Sequence, residues 1–311
     1  MECMGAHAVG IVQMGVDMVE LRGKVAFITG GASGIGFGMA RAFLKAGMRV
    51  IIADVSESHL EDAAAQLKTG AGEYSSIKLD VTDREAMASA ADAAELAFGK
   101  IHVLCNNAGI GLSAPMTSAT YSDWDRMLGI NLYGVINGIV TFMPRIRAHG
   151  EGGHIVNTSS MAGVLALPDA GGVYSTSKFA VRGLSESLRL ALAQYGVGVS
   201  VLCPGLTRTR ILEETQTAAK SGDLDELSAG FADAQQFAMD PLTVGEAVLE
   251  GIRRNDAYIL PHGEFIDEVR QMQAEILASF RTDLPMHPQR AAFEDSRRRM
   301  IEDIKAATRK S

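Results

Sequence analysis

The stretch KVAFITGGASGIG, Lys24 to Gly36, runs from an apolar, β-branched segment into a turn carrying Gly30, Gly34 and Gly36. VAFIT does not alternate polar and apolar residues, so it reads as a strand buried on both faces. The residues after the turn are periodic at helical spacing and predict a helix over 34–46. The same unit then recurs along the chain. Strands are predicted over 50–54, 76–80, 102–106, 153–158 and 197–203, with helices over 57–67, 84–98, 121–146 and 173–194 between them.

Apolar strands separated by helices of this length imply βαβ units and a parallel sheet covered on both faces. Right-handed crossovers then give an α/β fold with a doubly wound parallel sheet, of Rossmann type. After Pro204 the rhythm changes. Residues 206–240 form a mixed loop, followed by a helix over 244–254 and a strand over 257–260. Two further helices are expected from Glu264 onward, with Phe293, Met300 and Ile304 on one face of the last. The expected division is a loose extension over 1–20, one catalytic domain over 21–262, and a helical C-terminal extension over 263–311. Met18 is a candidate start, because regular pattern begins only near Leu21.

Composition narrows the function. The 311 residues are 47% hydrophobic and 21% charged, which is a globular balance. Acidic residues number 37 against 29 basic ones, for a net charge of -8. Nucleic acid is therefore not an expected partner, since phosphate binding needs a basic surface. A membrane is not expected either: no apolar run approaches a span in length, and an acidic surface repels anionic lipid. Cys3, Cys105 and Cys203 form no CxxC pair, and the seven histidines lack ligand spacing, so no metal is expected. Reduced thiols and a cytoplasmic location fit this pattern.

The glycine turn points to a dinucleotide. Its glycines supply a tight bend, close backbone approach to a pyrophosphate and close helix–strand packing. The helix N-terminus offers unpaired N–H groups to the phosphates, so the segment Gly30, Ser33, Gly34, Ile35 and Gly36 is the expected cradle. Such a turn alone also occurs structurally. Here an acid, Asp54, ends the second strand 18 residues beyond Gly36. A carboxylate there accepts from the ribose hydroxyls and repels a 2′-phosphate, and neither Ser33 nor Val55 is basic, which favours NAD over NADP. Asp80, Val81, Asn106, Asn107, Ala108 and Gly109 lie at the ends of the next strands, on the edge where ligands bind in open α/β sheets.

Tyr174 and Lys178, in YSTSK, stand four residues apart at the start of a predicted helix, one turn apart on one face. A phenol has a pKa of about 10 and is a poor base at neutral pH. A neighbouring cation favours the phenolate, and the tyrosine can then exchange a proton with an alcohol or ketone. Ser159 and Ser160 end the fifth strand, where one hydroxyl can hydrogen-bond a substrate oxygen. By itself YxxxK is equally a buried tyrosine with a snorkelling lysine.

TGGASGIG, Asp54, Asp80, NNAG, Asn131 within INLYG, NTSS, YSTSK and Pro204-Gly205 occur in the order of the short-chain dehydrogenases/reductases, which the chain resembles from about Leu21 to Pro261. The resemblance implies that Tyr174 is the general acid/base. Lys178 would lower its pKa and hold the nicotinamide ribose. Ser160 would polarise the substrate oxygen, and Asn131 would hold a water linking Lys178 to solvent. Pro204, Gly205, Thr207 and Thr209 would belong to the loop over the nicotinamide, with Thr209 near its carboxamide. The Ser160–Tyr174 spacing is one residue longer than in that family, with 169–172 as the place to absorb it.

The implied reaction is reversible hydride transfer between NAD and a secondary alcohol or ketone, by a homodimer or homotetramer. Loops over 110–116, 161–173 and 206–239 supply Leu112, Met116, Met161, Leu165, Leu167, Leu206, Ile211 and Leu212, a lining suited to an apolar or aromatic alcohol. Arg208 and Arg210 could meet an anionic group. FITGGASGIGFGMARAF, GVINGIVTFMPRI and YILPHGEF are similar to bacterial Cα-dehydrogenases, which oxidise the benzylic alcohol of lignin-derived β-aryl ethers. A hydroxysteroid-like or 3-oxoacyl reductase is the alternative enzyme, and an NAD-binding sensor or scaffold the non-enzymatic one.

Overall fold

The computed structural model describes Met18 and residues 20–68, 70, 72–111, 114–211 and 234–309. Seven parallel strands form one sheet in the order β3-β2-β1-β4-β5-β6-β7. They are β1 (Val25–Thr29), β2 (Arg49–Asp54), β3 (Tyr74–Lys78), β4 (Val103–Asn106), β5 (Gly153–Thr158), β6 (Val197–Leu202) and β7 (Tyr258–Ile259). Among the described residues the α-helices are α1 (Gly34–Lys45), α2 (Glu57–Leu67), α3 (Arg84–Phe98), α4 (Tyr121–Leu128), α5 (Gly134–Ala148), α6 (Gly172–Leu192), α7 (Pro241–Arg253), α8 (Ile266–Ala278) and α9 (Pro288–Arg309). The strand order reverses between β1 and β4, and in open α/β sheets ligands bind at the carboxyl ends of the strands at such a point.

Strand alternation builds the two faces. Ala26, Ile28, Val50 and Ile52 face α1 and α7, in a layer that also takes in Met18 and Leu21. Val25, Phe27, Ile51 and Leu104 face α3, α5 and α6, with the Phe27 and Phe142 rings 4.5 Å apart between centroids. Met18 is buried in the first layer, so the stretch expected to be loose already contributes to the core at that residue. Residues 1–17 lie outside those described, as do Leu112 and most of the loop expected over 206–240.

Several boundaries differ from expectation for local reasons. The third strand is an edge strand and starts at Tyr74, whose hydroxyl donates to the Ala64 carbonyl, so Asp80 lies beyond its end. The expected helix over 244–254 begins at Pro241, where a missing N–H costs nothing, and Asp240 caps it by accepting from Leu242 N at 2.8 Å. The long helix expected over 121–146 is interrupted: a π-helical turn at Gly129–Tyr133 separates α4 from α5. By length and composition, Tyr121–Ala148 is long and apolar enough to cross a membrane, contrary to the reading of the sequence. Of its most apolar window 44% is buried, and α5 packs against α3 and the sheet.

The C-terminal part consists of the two expected helices. No residue of α8 is fully buried, yet Phe265, Val269 and Met272 pack on Met161, Val164 and Cys203. On α9, Phe293 and Met300 are exposed while Ile304 is half-buried. Cys105 and Cys203 are buried free thiols.

Candidate active site

The β1–α1 turn builds one end of the site. Gly30 has φ +60°, in the left-handed region where a side chain is strained. Gly36 faces that residue so closely that an added Cβ would lie 2.0 Å from the Gly30 carbonyl oxygen. Ser33 caps α1 with extended backbone and no side-chain bond to the helix. Asn107 braces the turn by donating from Nδ2 to the Thr29 and Gly30 carbonyls, both at 3.2 Å. The Thr29 hydroxyl accepts from the N–H groups of Asn107 and Ala108 at 2.9 and 3.1 Å. Thr29 was not among the expected residues, although its hydroxyl at the mouth of a buried strand was visible in the sequence.

Asp54 is the last residue of β2 and is buried. Its carboxylate accepts from Ala32 N at 3.3 Å and Ser56 N at 3.1 Å, which ties the second strand to the glycine turn. Asp80 is exposed and takes the N–H and hydroxyl of Thr82. Val81 is buried, and its carbonyl accepts from Asn137 Nδ2 at 2.9 Å. These residues leave a side-chain-free backbone cradle with a carboxylate at its outer end. That arrangement fits the pyrophosphate and adenosine ribose of a dinucleotide.

The second half of the site comes from β5, α5 and α6. Lys178 is buried, and its Nζ donates to the Thr158 carbonyl at 3.2 Å and lies 5.5 Å from the centre of the Tyr174 ring. Tyr174 and Lys178 therefore share one side of α6. Ser159 turns inward and donates from Oγ to the Lys178 carbonyl at 2.7 Å. Ser160 Oγ accepts from Ala162 N at 3.1 Å, and this serine favours the ionised form of the Tyr174 phenol. Between Ser160 and Tyr174, Asp169–Gly171 forms a short 3-10 turn. There the Asp169 carboxylate holds the N–H and hydroxyl of Thr117, each at 2.8 Å.

Electrostatics follow burial. Desolvation pushes the Tyr174 phenol above its ordinary value, and the hydrogen bond with Ser160 pulls the other way. Burial brings Lys178 down to about 8. Lys178 Nζ lies 5.5 Å from the same ring.

Asn131 sits in the π-helical turn and is fully buried. Expected within an uninterrupted helix, it lies in this turn and clamps the chain at Ile110. Its Oδ1 accepts from Ile110 N at 2.8 Å, and its Nδ2 donates to the Ile110 carbonyl and the Ser177 hydroxyl, both at 3.1 Å. Bulges of this kind recur at functional sites. A side chain at Gly109 would run into Asn131 Oδ1 and Lys178 Nζ, so these groups converge on that glycine.

The loop after β6 closes the site. Pro204 is buried and its carbonyl accepts from Met161 N at 2.9 Å. Thr207 Oγ1 donates to the Gly205 carbonyl at 3.2 Å. Thr209 lies against Gly34, beside the glycine turn. Arg208 and Arg210, weighed as anion ligands, pair with Asp240 and Asp62. Met116 and Leu167 are exposed, and Leu165 is half-buried against the cluster of Met161, Val164, Val201 and Cys203. At the opposite end of the sheet, His102, His149 and Glu151 bring possible metal-ligating atoms within 4.8 Å of one another. Every ring nitrogen there already has a partner, and Lys24 and Lys100 pair with Glu151.

Comparison with known proteins bears on this geometry. The family model described as short chain dehydrogenase matches residues 24–220. A C alpha-dehydrogenase from Sphingobium sp. strain SYK-6 is 41% identical over 254 residues, covering 79% of this chain and 83% of that protein. The apo form of LigO from the same organism superposes with a TM-score of 0.74 at 38% identity, covering 90% of this chain and 97% of that one. A short chain dehydrogenase/reductase from Burkholderia phymatum, solved in complex with NAD, gives a TM-score of 0.79 at 32% identity, over 86% of this chain and 99% of that one.

Proposed function

Because the chain belongs to the short-chain dehydrogenase family, we propose that it interconverts a secondary alcohol and a ketone with NAD, using Tyr174, Ser160 and Lys178 to position the substrate and move its proton. The observation that carries this reading is the buried Lys178 Nζ lying 5.5 Å from the centre of the Tyr174 ring, on the sheet edge that also holds the glycine cradle. The Asp54 carboxylate supports NAD over NADP, and the NAD complex of the Burkholderia protein supports it further.

NAD, when bound, supplies the hydride acceptor for oxidation. The chain supplies the rest. The Ser160 hydroxyl holds the alcohol oxygen, and Tyr174 Oη takes the proton from it. Lys178 binds the ribose hydroxyls through Nζ. Asn131 fixes the backbone at Ile110 next to that lysine. The backbone of Gly30, Ser33, Gly34, Ile35 and Gly36 receives the pyrophosphate, Asp54 the adenosine ribose, and Asp80, Val81, Asn107, Ala108 and Gly109 the adenine side and the floor. Pro204, Gly205, Thr207 and Thr209 hold the nicotinamide end.

The substrate is an apolar or aromatic secondary alcohol, with a benzylic alcohol as the specific assignment. Met116, Leu165 and Leu167 support it, as does the identity with the Sphingobium C alpha-dehydrogenase. The proposed organisation is a catalytic domain to residue 262 with α8 and α9 as an extension. A cytoplasmic homodimer or homotetramer completes the proposal, supported by exposed apolar side chains such as Phe280 and Phe293 on the extension.

The test is NADH formation over a panel of secondary alcohols. Benzylic alcohols are expected to react fastest. Failure of every alcohol in the panel would overturn the reading, and inert benzylic members beside reactive aliphatic ones would remove the benzylic assignment alone. A pH series adds a second check. Oxidation needs Tyr174 ready to accept a proton, and burial holds that group above its ordinary value. The oxidation rate is therefore expected to climb from neutral pH into the alkaline range, while ketone reduction declines. A profile already flat above about 6.5 would point to a histidine as the base instead.

A further inference from the structure

We propose that His262 is a positioning residue for the dinucleotide site, fixing the Gly205–Leu206 turn from a segment 57 positions further along the chain. The inference rests on the function proposed above, since it takes the loop after β6 to hold the nicotinamide end. His262 is only 4% exposed, so its polar atoms need protein partners. Both are in the loop. Nδ1 accepts from Gly205 N at 3.0 Å, which leaves the ring proton on Nε2, and Nε2 donates to the Leu206 carbonyl at 3.1 Å. The ring also sets the depth of the turn. A Cβ on Gly205 would come within 2.9 Å of His262 Cγ and 2.7 Å of Phe265 Cε2.

The opposite side of the turn is tied to the catalytic serine. The carbonyl of Pro204 accepts from Met161 N, directly after Ser160. Further on, Thr207 bonds back to Gly205, and Thr209 abuts Gly34 in the cofactor cradle. A shift at Gly205 therefore reaches both the serine loop and the phosphate turn. Removing the imidazole leaves the Gly205 N–H unpaired, while the Leu206 carbonyl keeps only Met239 N at 3.0 Å, and it opens the space that set the depth. His262 touches none of the reacting groups described above; its effect is exerted through the loop.

Three variants, each assayed with the alcohol that turns over best, separate this role from a purely structural one. His262→Ala is expected to raise KM for NAD by about tenfold, equivalent to ~1.4 kcal/mol, with a smaller change in KM for the alcohol. His262→Asn offers an oxygen where Nδ1 stood and is expected to recover most of the NAD affinity. His262→Gln places its amide nearer Leu206 and is expected to recover less. Should the alanine variant fail to fold, the asparagine–glutamine contrast decides alone. Equal NAD affinity in both and in the unaltered protein would overturn the role. A lowered melting temperature with unchanged KM for NAD would also overturn it. Absence of NAD-linked turnover in the unaltered protein would instead count against the proposed function, and NAD binding followed directly by fluorescence would still read the effect of each variant.

Discussion

Replacing Tyr174 by Phe is expected to lower turnover by about 10³-fold while NAD binding and melting temperature hardly change, as befits loss of a general acid/base. The substitution removes one oxygen and keeps the ring, so packing against Lys178 survives. It also leaves the glycine cradle untouched, since that is built from β1, α1 and β4. What disappears is the hydroxyl whose ionised form Ser160 favours. Steady-state rates with the best alcohol, together with NAD affinity measured by fluorescence, check the point. Retention of more than about a tenth of the activity would mean that the proton goes elsewhere. Loss of NAD binding along with turnover would mean that the phenol serves the cofactor site more than the proton.

Replacing Gly36 by Ala should do the reverse: it should abolish the NAD-dependent rise in melting temperature before any question of chemistry arises. An added Cβ would lie 2.0 Å from the Gly30 carbonyl oxygen and 2.7 Å from Asn107 Nδ2. Backbone cannot yield that far without moving the turn, and the turn is the cradle. A ligand at about 100 times its Kd stabilises the native state by ~2.7 kcal/mol, and this is the increment expected to vanish. Gly183, in α6, is the control. A Cβ there meets nothing within 4 Å, so Gly183→Ala should melt at or above the unaltered protein and keep the NAD response. A normal response in Gly36→Ala would remove the turn from the cofactor site.

Much of this was readable in advance because it is local. The alternation of buried strands with helices specified the parallel sheet, and the turn after Thr29 could be assigned from three glycines and a following helix. Tyr174 and Lys178 could be paired because four residues is one helical turn. The misjudged places are those where tertiary contacts outweigh local pattern. The third strand moved toward Tyr74 because it lies at the sheet edge, where a polar alternation suffices. The break in the long helix at Gly129–Tyr133 left no mark on the apolar periodicity, yet it turns Asn131 toward Ile110.

The sequence by itself determined the order of the elements, the layered fold and the pairing of Tyr174 with Lys178 on one side of a helix, since each depends on spacing along the chain. Only the tertiary structure decided which serine favours the ionised tyrosine, that burial drives Lys178 down to about 8, and that His262 braces a loop far from it in sequence. Those properties arise from desolvation and from contacts between distant segments. Neither has a fixed interval in the sequence; both exist only once the sheet has brought its carboxyl ends together.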